Sequence, residues 1–146
     1  LGDRSGALES FKQVGPSSNL TTALREASAI LVDERSPQAI NAFFEAHRES
    51  YPDAREINFI FHAETLTSVD ASQAIDVLSL GVEAVPNSTR MLYARANLLE
   101  RAGRFDAAES DYRSVLELTP GDAISLFIIE NRSNTNTGTL DLTSSH

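Results

Sequence analysis

Cysteine is absent from all 146 residues. That excludes disulfides, zinc–thiolate sites and thiol catalysis. It leaves the redox compartment open, because cysteine-free chains suit both cytosol and periplasm. Basic charge is scarce: 12 Lys and Arg stand against 21 Asp and Glu, for a formal net charge of −9. Phosphate binding needs a basic surface, as does docking on anionic lipid, so neither nucleic acid nor a lipid surface is an expected partner. No apolar run approaches the ~20 residues of a spanning helix, and no membrane insertion is expected of this chain. The 7 glycines are scattered singly, with no phosphate-cradling loop and no GxSxG nucleophile motif. No signal peptide is present and residue 1 is Leu rather than Met, so the natural protein is expected to start earlier, with any targeting segment upstream.

What is present is a period. Residues 92–120 read LYARANLLERAGRFDAAESDYRSVLELTP. Leu92, Ala96 and Leu99 form one stripe of a 3.6-residue helix. Gly103 breaks that helix, and Asp106 is placed to cap the next. Ala108, Tyr112, Val115 and Leu116 make a second stripe, which Pro120 ends. Small residues (Ala96, Ala108) stand where two helices must approach. Pro52, Pro86 and Pro120 are spaced 34 residues apart, and the positions between them recur in step. Leu24, Ser28, Leu31 and then Ala39, Phe43, Ala46 precede Pro52. Phe59, Ala63, Leu66 and then Ala74, Leu78, Gly81 precede Pro86. The two upstream units have a shorter turn without the glycine, so the differences fall in turns, where they cost least.

This pattern resembles the tetratricopeptide repeat, a helix–turn–helix unit with this order of small, large, Gly, Ala, aromatic and Pro positions. The resemblance covers about residues 1–126 and implies an all-α fold: an α-solenoid of antiparallel helix–turn–helix repeats wound into a right-handed superhelix. The expected repeats are about 20–53, 54–87 and 88–121. Residues 1–15 match the second helix of a partial repeat, through Gly2, Ala7, Phe11 and Val14. Residues 122–126 begin a further first helix, in which Leu126 takes the place of Leu92. Beyond it the pattern fails: residues 127–146 contain no Ala, and half are Asn, Thr or Ser. They are expected to be a polar tail, non-repeat or foreign. Ser36, Asp70 and Ser88 are candidate N-caps, with Thr21 or Thr22 near the start of the first full repeat. Residues 57–61, INFIF, would read as a buried strand in isolation; the repeat register makes them helix.

Little else carries chemistry. A metal site at His62 would want its second ligand three or four residues on, and Glu64 is two on. His62 therefore reads as a half-buried or groove-facing imidazole, and no metal or cofactor is expected. His47 lies beside Arg48 near a helix end, where a cation suits the dipole. Glu100, Glu109, Asp111 and Glu117 read as a solvated face rather than acid–base machinery. Asn19, Asn87 and Asn131 head glycosylation-type triplets, a pattern so common by chance that it carries no expectation.

In the resembled family the first helix of each unit lines a concave groove that takes an extended peptide or a partner helix. By register the exposed positions are Arg25, Ala29 and Val32 in the first full repeat. They are Ile57, Ile60, Glu64 and Thr67 in the second, and Arg90, Tyr93, Asn97 and Arg101 in the third. Arg25, Asn97 and Arg90 partly match family members that clamp a terminal carboxylate. The inferred groove is apolar at its centre (Ile57, Ile60, Tyr93) with basic edges (Arg25, Arg90, Arg101). Replacing Tyr93 and Ile60 by Ala is expected to abolish binding with helicity intact. The resemblance thus implies a protein-binding scaffold or adaptor, not an enzyme. The alternative is a regulatory or targeting segment of a larger enzyme whose catalytic domain lies outside this chain. Self-association through open repeat ends is a third reading. The wording of the third repeat also looks like bacterial multi-repeat proteins, some of them envelope lipoproteins, which points to bacterial cytoplasm or to periplasm and envelope.

Overall fold

The structure is a computed structural model that describes the backbone of residues 2–144 and the side chains of residues 3–134. Among these it is all helix: α1 (Gly2–Lys12), α2 (Leu20–Glu34), α3 (Pro37–Ser50), α4 (Arg55–Thr67), α5 (Ala71–Ala84), α6 (Thr89–Arg101), α7 (Phe105–Leu118) and α8 (Ala123–Ser144). A single 3-10 turn, Pro52–Ala54, leads into α4. Successive helices pair antiparallel, and α4 lies at the centre, against α2, α3, α5 and α6. None of the described helices is long and apolar enough to cross a membrane.

Capping chemistry sets several of the boundaries. Ser36 accepts from the Ala39 N–H at 3.1 Å, Asp70 from Gln73 at 3.1 Å, and Ser88 from Met91 at 3.2 Å, each satisfying a donor the helix leaves open. Asp106 does not cap α7. The residue at that helix's N-cap position is Arg104, and the Asp106 carboxylate instead meets Arg132 of α8 at 3.2 Å. Gly103 stands at φ 77°, while the Arg104 N–H reaches back to the Leu99 carbonyl at 2.8 Å, a glycine-terminated helix end. The shorter α2–α3 turn places Arg35 in the same left-handed region, at φ 51°.

The core runs the length of the array through Leu24, Leu31, Phe44, Leu66, Leu78 and Met91. The small positions lie at the helix crossings: Ala63, Ala74, Ala96 and Ala108 are buried. Gly81 is tighter still, since a Cβ there would stand 2.6 Å from Met91 Sδ and 3.1 Å from Phe59 Cγ.

α8 differs from its sequence register. Leu126 is exposed and Ser125 is buried in its place, so the inward stripe is Ser125, Ile129 and Arg132, one residue earlier than expected. Two polar anchors set this rotation: Asp122 accepts from the Ser125 N–H at 2.9 Å, and Arg132 donates to the Phe105 carbonyl at 2.6 Å. The helix continues through the polar stretch expected to be a tail.

Candidate functional site

The first helices α2, α4 and α6 lie side by side and leave two hollows between them. The hollow between α2 and α4 holds about 330 Å³ and is lined by Arg25, Ala29, Val32, Phe61 and Glu64, with Ser28 and Thr65. The hollow between α4 and α6 holds about 310 Å³ and is lined by Ile60, Glu64, Thr67, Asn97 and Arg101, over Ala63, Ala94 and Leu98. Glu64 belongs to both, so the two form one groove with a carboxylate at its middle.

The register explains the division of labour. Ala29, Glu64 and Asn97 stand at the same place in each first helix, five residues after Leu24, Phe59 and Leu92, and all three are exposed along the groove. At the place directly after those anchors the three residues, Arg25, Ile60 and Tyr93, differ. At that place Ile60 is only 6% exposed, part of the floor and not a protruding anchor. Tyr93, in the equivalent place, is turned toward α8. Its hydroxyl donates to the Asp122 carboxylate and accepts from Ser125 Oγ at 3.2 Å, and its ring meets Tyr112 edge-on at 6.0 Å. Burial, with the bond to Asp122 second, raises the Tyr93 phenol above its ordinary pKa. Arg25 is exposed at the same register position and does line the groove. Ile57 is half-buried against the core, and Arg90 is exposed on the first turn of α6; neither lines either hollow. The apolar centre expected from Ile57, Ile60 and Tyr93 is therefore replaced by a floor of Ile60, Phe61 and Leu98 under a line of polar side chains. Replacing Tyr93 and Ile60 would damage the α6–α8 seam and the core.

No family model matches the chain. A curated TPR repeat-containing protein of Pseudomonas aeruginosa is 29% identical over 126 residues, which is 85% of this chain and 21% of the relative. The chain thus spans about a fifth of the length of the curated relative it matches. The crystal structure of MamA superposes with a TM-score of 0.55 at 18% identity, over 85% of this chain and 73% of that one, a likeness of fold. In sequence and in fold this chain is similar to tetratricopeptide-repeat proteins.

Behind the groove the array carries polar groups that periodicity did not show. Arg48 reaches into the α3–α4 interface, donating to Asn58 Oδ1 at 2.7 Å and to His62 Nδ1 at 2.9 Å, with its guanidinium 4.1 Å over the Phe59 ring. His62 passes the chain on: Nε2 donates to Asn41 Oδ1 at 2.7 Å, and Asn41 donates to Gln73 at 3.0 Å. On the other side Asn58 donates to His47 Nδ1 at 2.9 Å, and His47 Nε2 donates to the Val14 carbonyl at 2.8 Å. Both imidazoles are buried, at 0% and 1% exposure. Burial first, and Arg48 second, depress His62 to about 3. Burial also lowers His47, against the bond to Val14. His47 is thus a neutral interior link and not a cation at a helix end, and His62 is buried behind the groove, not facing it.

Asp111 also departs from the solvated-face reading. It is 4% exposed and meets Arg95 in a two-pronged pair, Nε to Oδ2 at 2.8 Å and Nη2 to Oδ1 at 2.6 Å. A carboxylate pointing into the α6–α7 seam has the periodicity of a surface residue only until the neighbouring helix is in place. Among the described residues no group of three or more His, Cys, Asp and Glu side chains is gathered as a metal site would need.

Proposed function

We propose that this array is a non-catalytic interaction scaffold that holds a segment of a partner protein in the groove between α2, α4 and α6. The observation that carries the reading is the shared carboxylate of Glu64. It joins two apolar-floored hollows into one continuous channel, with Arg25 at one end and Asn97 and Arg101 at the other. A fold of this class is a protein-interaction scaffold in general terms; the use of this face, and of these side chains, is our reading. The alternative, that the array serves as a regulatory or targeting segment of a larger enzyme, draws on the 21% share of the relative that it spans. It concerns what the groove is attached to, and leaves the groove's own role the same.

The test is a peptide-display selection on the folded chain, repeated with Asn97→Trp. Asn97 is exposed on α6, so the indole fills the groove with the core untouched, and circular dichroism should be unchanged. Selected peptides should lose affinity by about 10-fold or more, the scale of one blocked central contact. Undiminished binding would place the interaction on another face.

A further inference from the structure

Three charged side chains face the groove, one from each first helix: Arg25 on α2, Glu64 on α4 and Arg101 on α6. All three are exposed, and none forms an ion pair among the described residues. Their order across the groove is positive, negative, positive. Accepting the groove as the binding face, we infer that its occupant is an extended segment with the complementary order: an acidic residue, a basic residue about three positions on, and a second acidic residue about three beyond that.

The spacing follows from helix packing. Neighbouring helix axes lie about 8–10 Å apart, and an extended chain in the polyproline II conformation advances about 3.1 Å per residue with three residues per turn, so one helix-to-helix step takes about three residues and returns the side chain to the same face. A bound helix is about 10–12 Å thick, wider than the 8–10 Å step between neighbouring helix axes, and would lie over the hollows of about 310 and 330 Å³ rather than enter them. In each step one of the two residues between charges lays an apolar side chain against the floor, Phe61 and Val32 on one side and Ile60 and Leu98 on the other. The exposed Asn97 amide lies beside Arg101 to bond the backbone or the second carboxylate. Glu64 disfavours a wholly acidic tail, since a carboxylate at the centre would face another carboxylate. Arg90, which a terminal-carboxylate clamp would need, lies outside the groove.

Two blocked, fluorescein-labelled peptides test this by anisotropy: Glu-Leu-Ser-Arg-Leu-Ser-Glu and the same peptide with central Glu. The parent array should prefer the first by about 10-fold, and Glu64→Arg should reverse the preference. Both differences should shrink in high salt, where exposed pairs are screened. Equal binding of the two peptides, a preference unmoved by Glu64→Arg, or no binding of either at millimolar concentration overturns the inference. The display-selected peptides separate this from the wider reading. If they still lose affinity on Asn97→Trp, the groove binds but reads a different chemistry; if they do not, the groove reading falls as well.

Discussion

The Nη1 of Arg48 donates to the Nδ1 of His62 at 2.9 Å. An arginine cannot accept, so His62 must carry its single proton on Nε2, where it bonds Asn41. Protonating Nδ1 would set a second cation against the guanidinium and break the chain of bonds that joins α3, α4 and α5.

Acid should therefore destabilise the array well above the carboxylate range. With His62 depressed from 6.5 to about 3, the unfolded chain binds a proton that the folded chain refuses between those values. Its contribution is complete above about pH 6.5 and is lost as pH falls toward 3, by roughly 1.4 kcal/mol per pH unit for one histidine. His47, lowered by burial, adds in the same direction. Urea midpoints should fall between pH 7 and pH 5, and the slope should be shallower in His62→Gln. A midpoint that stays constant over that interval would mean that these imidazoles accept protons in place.

The Arg95–Asp111 pair predicts an asymmetry. Arg95→Met leaves a carboxylate buried without its partner, which costs about 3–5 kcal/mol. Adding Asp111→Leu removes the stranded charge and should recover most of that loss. Chemical denaturation of the two variants measures the difference. Equal stability of the single and double variants would show that Asp111 finds water once Arg95 is gone.

Glycines 6 and 81 should respond oppositely to alanine. Around Gly6 nothing lies within 4 Å of the added carbon, so Gly6→Ala should stabilise α1 by up to about 1 kcal/mol through helix propensity. In Gly81→Ala the methyl group meets Met91 and Phe59, and overpacking of about 1–3 kcal/mol should exceed the same gain. Thermal melts of the two variants should move in opposite directions.

Tyr93→Phe removes the hydroxyl that Asp122 and Ser125 share. The cost should be about 0.5–1.5 kcal/mol and local. Amide exchange should quicken at 123–126 and stay slow in α4, and affinity for groove peptides should hold. Faster exchange in α4 would show that this seam supports the whole array.

The prolines and the alternating small and large positions made the fold legible, because a repeat states its own register three times over. They even carried INFIF correctly into α4. That run looks like a strand because Asn58 through Ala63 are all buried, the helix having neighbours on every side, and a helix buried all round loses the one-sided period that marks most helices. The exposure of Glu64, Asn97 and Arg101 was legible for the same reason. It was not legible at Tyr93 and Ile60, whose exposure depends on the following repeat and not on their own helix. Asp111, His47 and Arg48 were missed because a polar residue in a seam and one in water look alike along a single chain. Arg48 beside two histidines was the available signal, and it needed the partner helices to be read.

The two hollows are not fastened alike. Across the first, Thr65 donates to Ser28, whose own hydroxyl bonds the Leu24 carbonyl, at 2.8 Å each, a rivet part-way along the opening. Across the second, Ser88 bonds Glu56 at 2.8 Å where α6 begins, far from Asn97 and Arg101 at its open end. One half of the channel is therefore bridged inside its opening, and the other only at its root, where α6 begins.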